Sequence, residues 1–193
     1  MNGNARRLVA SGSQAVQVDR AANNDKRFAV VPAGTLPTLP FISVVWDTRV
    51  EQTTSMDFGP LFGIKANDDS SGPVLRLGTL GVDASAGDVL YTAAGTGVLT
   101  DTGSKVAFGA WNQFALLFDF SNQTYSIFLN AMMLTTTGFE SMSNRLTDVD
   151  IAALAASATR VALTVPRTST TSLLSNVVPL CRLPPSLLCF SLA

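Results

Sequence analysis

Residues 111–139 read "WNQFALLFDFSNQTYSIFLNAMMLTTTGF", and this stretch decides the fold. Phe114, Leu116, Phe118 and Phe120 occupy alternate positions. An extended chain places all four on one face, whereas a helix would scatter them. The polar run "SNQT" at 121–124 supplies a turn. Tyr125, Ile127 and Leu129 then alternate with Ser126, Phe128 and Asn130 in a return strand. "NA" at 130–131 stands where a tight hairpin turn belongs, ahead of "MMLTTT". The stretch is therefore an antiparallel meander with one buried face.

The same period extends upstream. "SQAVQVDR" (13–20) and "KRFAVV" (26–31) read as short strands. In "FISVVWDTRVEQ" (41–52), Ile42, Val44, Trp46, Thr48 and Val50 share one face, and Ser43, Val45, Asp47, Arg49 and Glu51 share the other. "FGPLFGIKAND" (58–68) is a further strand closed by the loop "NDDSSGP". "VLRLGTLGVD" (74–83) and "GDVLYTAAGTG" (87–97) form a hairpin around "ASAG", and "LTDTGSKVAFGA" (99–110) reads as turn-rich. One helix is expected, in "TDVDIAALAASA" (147–158), where Thr147 or Asp148 supplies an N-cap ahead of Ala/Leu-rich helix formers. The expected architecture is all-β: a two-sheet antiparallel jelly-roll sandwich with one short late helix.

Composition narrows the chemistry. The chain of 193 residues is 47% hydrophobic and 14% charged, enough apolar surface for one domain with a real core. Its formal net charge of −1 leaves no basic surplus for phosphate contacts, so nucleic acid is not an expected partner. Histidine is absent, which removes the commonest general base and metal ligand and excludes Ser-His-Asp and Cys-His catalysis within this chain. Cys181 and Cys189 are too few for a four-ligand zinc site. "MNGNARRLVASGSQ" lacks the apolar region of a secretion signal, and no run is long enough for a membrane-spanning helix.

The 109–139 segment resembles the concanavalin A-like lectin/glucanase superfamily in its laminin G-like branch. The pattern is carried by Trp111, Asn112, Phe114, Leu116, Asp119, Thr124, Tyr125, Phe128, Asn130 and Leu134. Upstream, "GSQAVQV", "ISVVWDTRV", "FGPLFGI" and "LGVDASAGDVLY" are similar to the same branch as it occurs in exported bacterial proteins with a PEP-CTERM sorting signal. The resemblance covers roughly residues 8–160. It implies a non-catalytic exported module at the cell surface or outside the cell, with a glycan or another extracellular polymer as partner. A structural or adhesive protein without a small ligand is the alternative, and a degenerate glycoside hydrolase the third. The resemblance further implies that Asp47, Arg49, Glu51 and Asp119 line the concave sheet on which the superfamily binds glycans.

Three departures stand out. Ala131 occupies a turn position where the family pattern has Gly, so a longer loop is expected there. The family's first strand has no counterpart before Gly12, so the sandwich is expected to be incomplete at its start. Its closing strand, typically "GTAYFDN" plus apolar residues, is also missing from residues 161–193, which hold both cysteines and four of the nine prolines. Residues 162–176, "ALTVPRTSTTSLLSN", admit a back-translation that reads from its third base as "ADGTAYFDNFVVVQ". The expected organisation is therefore a jelly-roll domain over 1–160 and an atypical tail over 161–193 translated out of frame, with a divergent in-frame strand as the alternative.

Candidate chemistry is sparse. The Glu-x-Asp-x-Glu motif of laminarinase-like members is absent, and the chain has only two glutamates, Glu51 and Glu140. Asp47 and Glu51, four apart on one strand, lie about 13 Å apart, too far for a paired acid and nucleophile. No cofactor is required. Asn67, Asp68 and Asp69 are candidate Ca²⁺ ligands through loop oxygens, as laminin G-like domains sometimes provide, with an exposed turn as the alternative. Asp83–Asp88 is read in the same way. Trp46 and Trp111 are expected in the core rather than as sugar-stacking platforms. Asn122-Gln123-Thr124 is a glycosylation sequon that reads as a turn in a bacterial protein.

The frame reading predicts that genomic DNA carries the shifted strand in frame with the preceding domain, and that a tryptic digest of the natural protein lacks "TSTTSLLSNVVPLCR". Recovery of that peptide's mass would end the idea.

Overall fold

A computed structural model describes residues 16–19, 26–30, 39–52, 61–70, 72–154, 172–176 and 188–191. In chain order the strands are β1 (Val16–Asp19), β2 (Lys26–Val30), β3 (Phe41–Val50), β4 (Leu61–Asp68), β5 (Leu75–Asp83), β6 (Asp88–Thr92), β7 (Leu99–Lys105), β8 (Trp111–Asp119), β9 (Thr124–Leu129), β10 (Met132–Gly138), β11 (Asp148–Leu154), β12 (Ser172–Asn176) and β13 (Leu188–Ser191). One sheet has the order β1-β12-β3-β8-β9-β10, with β13 pairing parallel to β3. The other has the order β2-β11-β4-β5-β6-β7. The two pack face to face as an all-β jelly-roll sandwich.

The alternation in the sequence becomes the core. Ile42, Val44 and Trp46 of β3 and Phe114, Leu116 and Phe118 of β8 are buried in one cluster with Phe62 and Ile64 of β4, Leu80 and Val82 of β5, and Val149 and Ile151 of β11. Tyr125 crosses this core. Its hydroxyl donates to the carbonyl of Thr92 in the opposite sheet at 2.7 Å. Its ring lies over Gly78, where a Cβ would come within 2.8 Å of Cζ. The rings of Phe118 and Phe139 flank it at 5.8 and 6.5 Å.

Three expectations are overturned. The helix expected from Thr147 is strand β11, zipped between β2 and β4. Helix preference amounts to at most about 0.7 kcal/mol per ordinary residue. Two ladders of backbone hydrogen bonds and the burial of Val149 and Ile151 outweigh it. The rest of that expected helix, 155–158, lies outside the described residues. The turn-rich stretch after Leu99 contains the edge strand β7, paired with β6. Its partly exposed residues needed no apolar face, so it left no alternating signal.

The third concerns the turn at 130–131, which is not lengthened. Asn130 and Ala131 adopt φ of 50° and 66°, and Leu129 pairs directly with Met132. The left-handed conformation costs Ala about 1–2 kcal/mol. The turn is clamped to β8 in return. The Asn130 amide donates to the Gln113 carbonyl at 2.7 Å, the Gln113 amide donates to Asn130 Oδ1 at 2.9 Å, and Asn130 Nδ2 donates to Asn112 Oδ1 at 3.0 Å.

The region before Gly12, the proposed frame change and Cys181 lie outside the described residues. Of the tail, β12 lies between β1 and β3, and β13 carries Cys189.

The core geometry makes Gly78→Ala more damaging than Tyr125→Phe. Removing the hydroxyl deletes its buried hydrogen bond to the Thr92 carbonyl, a loss of about 1 kcal/mol. Adding a methyl forces the ring or the strand to move. Urea denaturation of the two variants should rank them in that order, and wild-type stability in Gly78→Ala would refute the packing argument.

Candidate functional site

Counting along β8 from the inward Phe114 places Trp111 on the opposite face. Trp111 is half-buried on the outer surface of its sheet, in register with Arg49. This corrects the expectation that both tryptophans lie in the core. Trp46 does: it is 2% exposed and stacks on Phe114 at 5.6 Å. Parity from Phe114 was the signal that separates the two, because 111 and 114 differ by an odd number of residues.

Around Trp111 the outer face assembles three of the four residues expected there. Arg49 pairs with Glu51 at 2.5 Å. Arg49 Nε is buried and has no hydrogen-bond partner among the described residues. Asp47 is in register with Gln113 and 8% exposed. Burial pushes its carboxyl above the ordinary aspartate range, and a hydrogen bond with Gln113 only partly opposes this. Beside this polar group runs an apolar row across four strands, Val45, Ala115, Phe128 and Met133, each opposite the next. A planar aromatic, an ion pair and a carboxyl–amide pair next to an apolar stripe can hydrogen-bond a polyhydroxylated ligand and stack against its C–H face.

Asp119 stands apart. It lies six register positions from Gln113 along β8, about 20 Å away. There it accepts from the amides of Ser121 and Asn122, each at 3.0 Å, and from Asn122 Nδ2 at 2.7 Å. The side-chain bond from Asn122 leads the causes that hold its carboxyl below the ordinary range. Asp119 shapes the β8–β9 turn that contains the sequon.

Asn67, Asp68 and Asp69 also diverge in their contacts. Asn67 Nδ2 donates to Asp148 Oδ2 at 3.3 Å and to Asp150 Oδ2 at 3.2 Å. Burial, joined by the neighbouring Asp150 charge, raises the Asp148 carboxyl against the lowering effect of Asn67. Asp68 Oδ1 accepts from the amide and hydroxyl of Ser70, and its Oδ2 accepts from Ser143 Oγ at 2.5 Å. Burial would raise Asp68, but the bonds from Ser143 and Ser70 and the nearby Arg145 charge hold it low. The Asp69 amide donates to Thr147 Oγ1. Among the described residues no group of three or more His, Cys, Asp or Glu side chains is placed to hold a metal ion. In the 83–88 loop, Asp83 accepts from Ser85, and Asp88 pairs with Lys105 at 2.7 Å.

Sequence reasoning missed a second feature. A depression of about 700 Å³ opens at the Asp119 end, lined in part by Asp68, Phe120, Gln123, Met142, Ser143 and Arg145. These residues come from three separate segments, so no local pattern announced it.

No protein-family model matches the chain, and no curated protein matches it. Solved structures do. A sialidase superimposes with a TM-score of 0.59 at 7% identity, covering 83% of this chain and 14% of its own. A transglycosylase in its apo form gives 0.54 at 9% identity, covering 91% and 78%. A β-glucanase of Bacillus licheniformis gives 0.51 at 7% identity, covering 83% and 75%. The chain thus spans a small part of the sialidase and about three quarters of the other two. What it shares with them is the fold, a two-sheet antiparallel β-sandwich. Among the described residues no helix is long and apolar enough to cross a membrane.

The raised Asp47 carboxyl gives a signed prediction. An aspartate whose folded pKa exceeds its unfolded one opposes folding above that pKa, and the cost fades as pH falls through it. Asp47→Asn should therefore raise the melting temperature at neutral pH, with the gain shrinking in acid. A gain that is independent of pH would show that burial of the charge is not its source.

Proposed function

We propose that this chain is a non-catalytic carbohydrate-binding module that takes its ligand on the outer face around Trp111. The observation that carries the reading is the position of Trp111: half-buried outside the core, opposite Arg49 and beside Asp47 and Gln113. Arg49 and Glu51 are polar groups held in fixed geometry, and the row from Val45 to Met133 offers an apolar surface for sugar C–H groups. The solved structures of the same fold include a sialidase, a β-glucanase and a transglycosylase, all named for carbohydrate chemistry. Asp47 and Glu51 sit four apart on one strand path, beyond the separation of a hydrolytic carboxylate pair, and Glu51 is engaged by Arg49. The sequence resemblance supports placing the module in the laminin G-like branch, among exported PEP-CTERM proteins, with an extracellular polymer as ligand.

A glycan array followed by calorimetry tests this. Binding to at least one glycan class is expected, with Trp111→Ala lowering affinity about tenfold or more, equivalent to about 1.4 kcal/mol. A blank array would leave the structural or adhesive role. Release of reducing sugar from β-glucans would make the protein an enzyme.

A further inference from the structure

The depression at the other end of the sandwich is built before any ligand arrives. Ser143 Oγ donates to Asp68 Oδ2. Gln123 Nε2 donates to the Ser143 carbonyl at 2.7 Å, and the Ser143 amide returns a bond to Gln123 Oε1 at 3.0 Å. The end of β4, the β8–β9 turn and the β10–β11 connection are thereby tied together through side chains. Such preorganisation lowers the ordering cost of binding.

The hydrogen-bonding inventory indicates what the depression can take. Asp68 already accepts three donors on its two oxygens. Gln123 Nε2 spends its hydrogens on the carbonyls of Phe120 and Ser143. Among the described residues the groups with capacity to spare are the Arg145 guanidinium, Asn144 Nδ2 and the Ser121 hydroxyl, all on lining residues. Among the described residues the Arg145 side chain makes one long hydrogen bond, from Nε to Asn144 Oδ1 at 3.5 Å, and no carboxylate lies within 4.0 Å of it. The spare capacity is therefore dominated by donors, one of them a cationic fork suited to a planar or tetrahedral oxyanion. Leu75, Phe120 and the 79% exposed Met142 supply an apolar wall. The volume falls within the range of small-ligand sites.

We propose that this depression is a second ligand site, for a monosaccharide-sized hydroxylated oxyanion, a carboxylate- or sulfate-bearing sugar. Arg145 takes the anionic group, Ser121 and Asn144 take hydroxyl or ring oxygens, and Met142 packs on the C–H face. Asp68 positions the Ser143 loop and does not meet the ligand. The site shares no residue with the face around Trp111, so it stands whether or not that face binds glycans.

The test is a ¹H–¹⁵N titration of the full chain with D-glucuronate, glucose 6-sulfate, D-glucose and inorganic sulfate. Saturable shifts at the amides of Ser121, Asn144 and Arg145 are expected with one or both acidic sugars, and the one that binds identifies the oxyanion. Glucose and free sulfate should bind at least tenfold more weakly. Arg145→Gln, at an exposed position, should cost tenfold or more in affinity, Arg145→Lys less, and Trp111→Ala nothing. The proposal is overturned if no ligand shifts these amides, if glucose or free sulfate binds as well as the acidic sugars, if Arg145→Gln has no effect, or if Trp111→Ala abolishes the shifts.

Discussion

Tyr125 joins the two sheets through a single side chain. It starts on β9, fills the space left by the missing side chain of Gly78, and ends on the carbonyl of Thr92. The Thr92 hydroxyl in turn accepts the amide of Thr79. Burial pushes the phenol far above its ordinary range, which keeps it a neutral donor at neutral pH. This contact spans the core from one sheet to the other. With Tyr125 inward, its register partner Phe118 is inward, and with it the whole face of Phe114 and Leu116. The outward face follows by parity, and that is why Trp111, Arg49 and Asp47 share one outer face.

The two ends of the sandwich are held by different physics. The Trp111 end rides on β3 and β8, which pair over nine consecutive positions from Phe41 to Arg49. The Asp119 end depends on loops cross-tied by Asp68, Ser143 and Gln123. Their carboxyls respond to acid in opposite senses. Asp68, held low, contributes stability above its unfolded pKa and loses it as pH falls through the lower folded value. Asp47, held high, is relieved by protonation.

The strands with apolar alternation were legible because burial on one face leaves a period of two. The central stretch from Phe114 to Leu129 and the two faces of β3 could be written down from the sequence alone. β11 was not legible, because its Ala and Leu residues serve a helix equally well and only pairing with β2 and β4 decides between them. β7 was not legible because an edge strand need not be apolar. Asp47, Arg49 and Glu51 were placed together by the alternation of one strand. Asp119 was grouped with them by fold analogy, and register carries it to the far end. The depression was invisible because its walls are contributed by residues 68 to 145, brought together only by folding.

Among the described residues, strand β10 closes its sheet with nothing paired beyond it. Its seven residues, Met132 to Gly138, include no charge and no proline, and Met132 and Met133 are 61% and 59% exposed. An uninterrupted edge of that composition is a template on which copies of a chain can polymerise. The bulge between Met133 and Thr135 divides it into a run of two and a run of four. A local irregularity of this kind is one of the devices that blunt a sheet edge against such pairing.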